Sequence, residues 1–328
     1  MHIDPVVVAF GLGVGVLIGL TGIGGGSLMT PLLVIVVGTN PVVAVGTDLA
    51  YGAVTKTLGG FKHLRKGTVD LGVSNWLAFG SLPGALLGVL SLSALHHAYG
   101  KGFDTVLLAC VAGALFIVAG TILFRAMFMP RLVERERHSF AFTTRSKVGA
   151  VVMGFLLGAL LGLTSVGSGA LIGLALIGIF RLTPHRVVGT SVFHAALLLW
   201  VAALAHLAVG NVDFGLMGTI LIGSIPGVWI GTALSSHVPA NALRPALGAV
   251  VLGSGLAVAS KAGLHIPVGV IFGAPVAVGL AALVNHRLRL SAPPASGQPG
   301  PGSDGEPVLR EPAPRERVAV EPLPVEQA

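Results

Sequence analysis

The stretch GLTGIGGGSLMTPLL at residues 19–33 recurs as GLTSVGSGALIGLAL at residues 162–176. When the chain is aligned with itself so that Gly19 is opposite Gly162, the register holds without a gap from Gly19 to Gly88. Identical residues occupy 23 of these 70 pairs, and they include Pro, His, Asp and Thr, which an apolar composition alone does not bring into register. We call this register the repeat alignment. It predicts an internally duplicated chain.

The composition indicates a membrane protein. Hydrophobic residues make up 53% of the 328 residues and charged residues only 10%, whereas soluble domains carry about 25% charged residues. The net charge of +7 comes mainly from Lys and Arg grouped in short segments, which is typical of topology signals and not of a nucleic-acid groove. The single Cys110 excludes an internal disulfide and a Cys metal site, and we expect no cofactor.

The lengths of the apolar segments predict an all-α, polytopic membrane helix bundle. We place a first transmembrane repeat at 1–128, a basic cytoplasmic linker at 129–147, a second transmembrane repeat at 148–262, an extra C-terminal transmembrane helix at 263–289, and a tail at 290–328. From Ser291 onward the tail holds nine prolines and no apolar periodicity, which predicts disorder.

Two of the apolar runs, 26–37 and 169–180, are too short to cross a membrane. Twelve residues of helix span ~18 Å, against a hydrocarbon core of ~30 Å. A re-entrant hairpin broken at the glycines solves this problem, because irregular backbone is tolerated where it is buried in protein or lines a cavity. We call residues 21–26 and 164–169 the first and second glycine segments.

The distribution of basic residues predicts the orientation of the two repeats. The segment KHLRKG at 62–67 should be cytoplasmic, whereas the corresponding HLAVGN in the second repeat has no Lys or Arg. Equivalent turns therefore face opposite sides of the membrane. We expect inverted repeats in the cytoplasmic (inner) membrane, with the N-terminus outside, the C-terminus in the cytoplasm and a site between the repeats.

The glycine segments allow four interpretations. A phosphate-binding loop requires a Lys after the glycines, which neither segment has, so we do not expect nucleotide binding. Close helix packing by small residues is one remaining interpretation. The other is an anion site framed by two helix N-termini that arrive from opposite sides. A protease with Ser168 as nucleophile is disfavoured, because Gly25 is its counterpart.

The segment VGTDLAYGAVTK at residues 45–56 places two ionisable groups near one membrane helix. Such groups are costly in a bilayer and usually face a cavity or a partner. Asp48 and Lys56 are ~12 Å apart along a helix, so we expect no direct bond between them. Lys56 either lines the substrate pathway or extends to the membrane edge. The second copy has Ser191 and Leu199 at these positions, and Asp48 is our candidate for proton coupling.

The candidate substrate-binding residues are those of the glycine segments and of the matched G-T-[DS] steps, together with the membrane lysine. They are Thr21, Gly22, Gly24, Gly25, Gly26, Ser27, Thr47, Lys56, Thr164, Ser165, Gly167, Ser168, Gly169, Thr190 and Ser191. Structural roles are expected for two aspartates and two prolines: helix N-caps at Asp70 and Asp213, and helix starts at Asn40-Pro41 and Thr183-Pro184.

These motifs together resemble the sulfite exporter TauE/SafE family of membrane permeases. The residues that carry the resemblance are GLTGIGGGSLMTPLL, VGTDLAYGAVTK, HLRKGTVD, GLTSVGSGAL and PHRVVGTSV, within residues 5–285. The resemblance implies a duplicated helix bundle that exports or takes up sulfite, sulfonates or other small organic anions. Asp48 is a departure, because many members have Ser at this position.

We therefore expect a secondary transporter of small anions, sulfite or organosulfonates, coupled to protons. Its partners would be the anionic substrate, the lipid bilayer and a second copy of the chain, without nucleic acid. One alternative is a channel-like or cation permease that uses Asp48. The other is a non-transporting membrane assembly partner. The sequence shows no paired carboxylates, metal cluster or cofactor fingerprint, so we expect no enzyme.

Overall fold

The computed structural model describes residues 4–21, 26–128, 143–234 and 240–291. Every regular element in these ranges is a helix. In chain order they are α1 (Pro5–Thr21), α2 (Gly26–Leu32), a π-helical turn (Leu33–Val37), α3 (Pro41–Arg65), α4 (Leu71–Tyr99), α5 (Lys101–Phe128), α6 (Thr144–Thr164), α7 (Ala170–Gly178), α8 (Pro184–Ala208), α9 (Phe214–Leu234), α10 (Ala240–Lys261) and α11 (Val268–Ser291). Most of the predicted linker and nearly all of the predicted tail lie outside the described residues.

Five of these helices are long and apolar enough to cross a membrane: α4, α5, α6, α8 and α9. Large apolar side chains such as Phe79, Trp229 and Phe272 are exposed on the helices, as expected for surfaces that contact lipid. The prediction of an all-α, multi-pass membrane bundle is confirmed. The two predicted short runs are also present, as α2 with its π-helical turn and as α7.

The polar residues at the helix starts satisfy backbone amides, as the sequence predicts. Asn40 Oδ1 accepts a hydrogen bond of 2.9 Å from an amide in the first turn of α3. Asp70 Oδ1 does the same for α4 at 3.0 Å, and Asp213 Oδ1 for α9 at 2.9 Å. Thr183 occupies the equivalent position before α8 but its side chain makes no capping bond, so only the proline part of that prediction holds.

The two copies are interlocked. The repeat alignment pairs the end of α1 with the end of α6, α3 with α8 and α4 with α9, and α5 and α10 are the next helices in chain order in the two copies. The main packing partner of α1 is α9, and the main packing partner of α6 is α4. The first helix of each copy therefore packs on a helix of the other copy, and these two partners, α4 and α9, are themselves equivalent. Equivalent helices α3 and α8 pack on each other, and so do α5 and α10. The contact of α1 with α9 is therefore repeated by α6 with α4, with the roles of the copies reversed.

Glycine stripes make these close contacts between helices. A side chain added at any of the following glycines would meet the backbone of the opposite helix: Gly11, Gly15 and Gly19 of α1, Gly154, Gly158 and Gly162 of α6, Gly80, Gly84 and Gly88 of α4, and Gly223, Gly227 and Gly231 of α9. At Gly15, for example, a Cβ atom would lie 2.8 Å from the Cα of Ser224. Small-residue packing therefore accounts for the glycines that precede each glycine segment.

Replacement of Gly15 by Ala should destabilise the protein, because the new methyl group would overlap the backbone of α9. Overpacking of this kind costs about 1–3 kcal/mol. At Gly13 on the same helix, no atom of another described helix lies within 4 Å of the place that an added methyl group would take, so Gly13→Ala is a matched control that should be neutral or slightly stabilising. Thermal unfolding of the protein in detergent measures the difference. Equal midpoints for the two variants would contradict the role of the glycine stripe.

Candidate functional site

The second glycine segment is a buried, irregular link between α6 and α7. Helix α6 ends at Thr164, and Ser165 follows in the left-handed region with φ 60°. Thr164 Oγ1 donates to the carbonyl of Leu160 and accepts from the amide of Val166. Gly167 also has a positive φ, of 95°, which favours glycine. Both serines of this link, Ser165 and Ser168, direct their hydroxyls toward side chains of α3.

The two glycine segments meet. In the first segment, Gly22 to Gly25 lie outside the described residues, and so does the side chain of Thr21. Gly26 begins α2, and a Cβ atom there would lie 2.5 Å from the carbonyl oxygen of Ser165 in the second segment. The glycine segments of the two copies are therefore in contact where Gly26 meets Ser165.

Asp48 links these two broken regions. Its carboxylate is 1% exposed. Its Oδ2 accepts hydrogen bonds from Thr30 Oγ1 of α2 at 2.5 Å and from Ser165 Oγ at 3.1 Å. Its Oδ1 is buried and has no hydrogen-bond partner among the described residues. One carboxylate oxygen therefore binds both copies, and within this part of the chain the other is free to accept.

Lys56 lies further along α3 and contacts the same glycine segment. The side chain is buried, and Nζ donates a 2.6 Å hydrogen bond to Ser168 Oγ in the second glycine segment. The interpretation in which Lys56 extends to the membrane edge is therefore wrong. Among the described residues, Lys56 forms no ion pair with Asp48, as the helical spacing predicts. These two are the charged side chains buried in the described ranges.

The threonines of the two G-T-[DS] steps have a different role. Thr47 Oγ1 accepts a 3.0 Å hydrogen bond from the amide of Asp213, and Thr190 Oγ1 accepts a 2.8 Å bond from the amide of Asp70. The two bonds are equivalents in the repeat alignment. Ser191 Oγ donates to the carbonyl of Val188 on its own helix. These hydroxyls, which the sequence places in the candidate site, hold backbone groups in place.

Two polar residues of this region are absent from the sequence-based candidates. Thr30 is the shortest contact of Asp48, but its counterpart Gly173 has no hydroxyl, so the duplication does not point to it. His206 Nε2 lies 3.2 Å from the carbonyl oxygen of Gly162, just before the second glycine segment. Within the described ranges, no three His, Cys, Asp or Glu side chains come together as a metal site would require.

Comparison with known proteins identifies the family. The model of the family described as sulfite exporter TauE/SafE matches residues 7–258. The chain is 37% identical over 250 residues to the probable membrane transporter protein YjnA of Bacillus subtilis (strain 168). The aligned region covers 76% of this chain and 97% of the relative.

More distant relatives carry similar names. The chain is 26% identical over 238 residues to the probable membrane transporter protein YdhB of the same Bacillus strain, covering 71% of this chain and 91% of the relative. It is 29% identical over 244 residues to a probable membrane transporter protein of Xylella fastidiosa (strain 9a5c), covering 74% and 89%. No solved structure shows a significant match. The chain, a duplicated helical bundle with a buried Asp and Lys between its copies, belongs to the sulfite exporter TauE/SafE family of membrane transporters.

Proposed function

We propose that the protein is a proton-coupled secondary transporter that moves small anions, sulfite or an organosulfonate, across the cytoplasmic membrane. The observation that carries this proposal is the buried ammonium group of Lys56, which is bonded to a neutral hydroxyl and has no carboxylate within ion-pair distance among the described residues. A buried cation whose direct partner is a neutral hydroxyl keeps part of its desolvation cost. An anion bound beside it would offset that cost.

The surroundings of Lys56 suit an oxyanion. Ser168 comes directly before Gly169, the N-cap of α7, and Gly169 provides no side chain to cap the first turn of that helix. Backbone amides at a helix N-terminus point outward and favour negative charge. An anion at this position would receive hydrogen bonds from amides, from the Ser168 hydroxyl and from the ammonium group.

Asp48 supports coupling to protons. Its carboxylate is buried in the same region as Lys56, and one of its oxygens has no partner in the part of the chain that the structure describes. Binding of an anion to Lys56 would leave two negative charges facing one positive charge in a medium of low dielectric constant. Uptake of a proton by Asp48 restores the balance, so the anion and the proton would bind together.

The reciprocal packing of the copies supports transport by alternating exposure of this site. Each copy supplies one glycine segment, and the helices that hold them pack in two equivalent arrangements. We infer that the copies are inverted repeats with re-entrant segments, with the N-terminus outside and the C-terminus in the cytoplasm, in accordance with the basic segment at 62–67. Repeats of this kind rock around a central site in other transporter folds.

Sulfite uptake into proteoliposomes tests the proposed function. We expect purified protein to accumulate radiolabelled sulfite when the outside is more acidic than the lumen, and to lose this accumulation when a proton ionophore is added. Protein-free liposomes are the control. If neither sulfite nor an organosulfonate such as methanesulfonate enters faster than in the control, the assigned substrate class is wrong.

A cation permease remains the second candidate, because Asp48 Oδ1 and the hydroxyls of Thr30 and Ser165 are hard oxygen donors in one place. In that case Asp48 would bind the transported ion directly. Flux would then depend on Asp48 and not on Lys56, which is the reverse of what anion transport predicts.

A further inference from the structure

The end of α6 lacks a helical hydrogen bond at the point where the second glycine segment begins. In a continuous helix the carbonyl of Gly162 would accept from the amide of Val166. That amide instead donates to Thr164 Oγ1, at 3.2 Å. A buried carbonyl without a donor is unfavourable, so another group is required.

His206 of α8 supplies the missing donor. Its side chain is fully buried, and Nε2 lies 3.2 Å from the Gly162 oxygen. A carbonyl can only accept, so the proton of the imidazole is on Nε2. Within the described ranges, Nδ1 is buried without a partner. The imidazole therefore makes one hydrogen bond there, and that bond holds the end of the helix that presents Ser165 and Ser168.

The equivalent residue in the other copy, His63, makes a different contact. Both histidines are followed by turns with the same backbone bonds: the amide of Thr68 donates to the His63 carbonyl, and the amide of Asn211 donates to the His206 carbonyl. The side chain of His63, however, is only half-buried. Its Nδ1 lies 3.0 Å from Thr68 Oγ1 in its own turn.

Two equivalent turns with the same backbone bonds therefore hold their histidines in two different states. His206 is closed onto the end of α6, whereas His63 bonds within its own turn and not to the carbonyl of Gly19, which is the counterpart of Gly162 in the repeat alignment. In a transporter built from two inverted repeats, rocking of one repeat against the other lets the two copies exchange their conformations.

We propose that His206 is a positioning residue for the second glycine segment, and that His63 takes the equivalent place on the Gly19 carbonyl when the halves exchange during transport. The link between this exchange and transport rests on the proposed function, whereas the exchange itself rests on the contacts of His206 and His63. In the exchanged state, His63 is buried at the end of α1. His206 is then withdrawn into its own turn.

Cysteine labelling of the two turns tests the exchange without any substrate. The reporters are Val69→Cys and Val212→Cys, which are equivalent residues, each alone in a Cys110→Ser background that removes the native thiol. In the His206→Leu variant we expect N-ethylmaleimide to label position 212 about tenfold faster and position 69 more slowly, because the closed state loses the bond to Gly162. His206→Gln, whose amide also donates, should leave both rates within about twofold.

If the labelling rate rises at both positions, the protein has become less rigid in general, and the exchange is overturned. A change in the labelling rate at position 212 alone would also overturn it. His63→Leu provides the reverse measurement if His206→Leu does not fold. It disfavours the exchanged state, so labelling should fall at position 212 and rise at position 69, and unchanged rates would overturn the proposal. Failure of the wild-type protein to take up sulfite would reject the proposed function, but the labelling rates would still decide the exchange.

Discussion

Replacement of Lys56 by Met is expected to reduce the kcat/KM of sulfite uptake by at least about a hundredfold. The methionine side chain fills nearly the same volume but removes the buried positive charge that faces Ser168. A bound anion would then be buried without a counter-charge, and loss of one partner from a buried charge pair costs about 3–5 kcal/mol. Initial rates of radiolabelled sulfite uptake over a range of concentrations measure this loss.

Lys62→Met is the matched control for this experiment. Lys62 lies on the same helix as Lys56, nearer its C-terminal end, and its side chain is exposed. The control should take up sulfite at close to the wild-type rate. Unchanged uptake by Lys56→Met would remove the basis for anion binding at this site. Loss of uptake in both variants would point to the charge of α3 as a whole and not to the buried ammonium.

Replacement of Asp48 by Asn is expected to abolish accumulation driven by a proton gradient, while exchange of labelled for unlabelled sulfite continues. The amide oxygen of Asn can still accept from Thr30 and Ser165, so the link between the two broken regions is kept. The amide does not take up or release a proton in the accessible pH range. The variant should therefore carry the anion without the coupled proton. Parallel measurements of accumulation and of exchange in the same liposomes separate the two properties.

Asp213→Asn is the control for the change of charge. Asp213 caps α9 and is exposed, and Asn is an equally good N-cap, so coupling should remain. If Asp48→Asn still accumulates sulfite when the outside is acidic, Asp48 is not the coupling group. If the wild-type protein moves a cation instead of sulfite, and this flux is lost in Asp48→Asn but kept in Lys56→Met, the cation permease becomes the better description.

Much of the fold could be predicted because the duplication constrains it. A repeat that aligns without a gap over 70 pairs fixes which helices are equivalent, and Pro, Asn and Asp at the helix starts locate their ends to within a few residues. The pairing of α1 with α9 was not predictable in this way. Apolar stretches in a membrane protein all have the same character, so the glycine stripes show that helices approach closely but not which helices do so.

The charged residues of the candidate site could be predicted from the sequence, but their uncharged partners could not. Asp48 and Lys56 attract notice because ionisable groups in apolar segments are unusual. Their partners are hydroxyls, which occur throughout such chains, and the contact of Lys56 with Ser168 joins residues 112 positions apart. Thr30 has no counterpart hydroxyl in the other copy. The predicted roles of Thr47 and Thr190 also depend on packing, because a hydroxyl that lines a site and one that holds a helix end look alike in sequence.

The crossed packing of the helices has a consequence for biosynthesis. Helix α1 leaves the ribosome long before α9, the helix that covers its glycine stripe, because α9 begins only at Phe214. At ordinary rates of synthesis this delay is on the order of 10–40 s. During that time the glycine face of α1 lacks its main packing partner. Neither half of the chain contains the main partner of its own first helix, so completion of the second half, and not insertion of the first, sets the moment at which the transporter can fold.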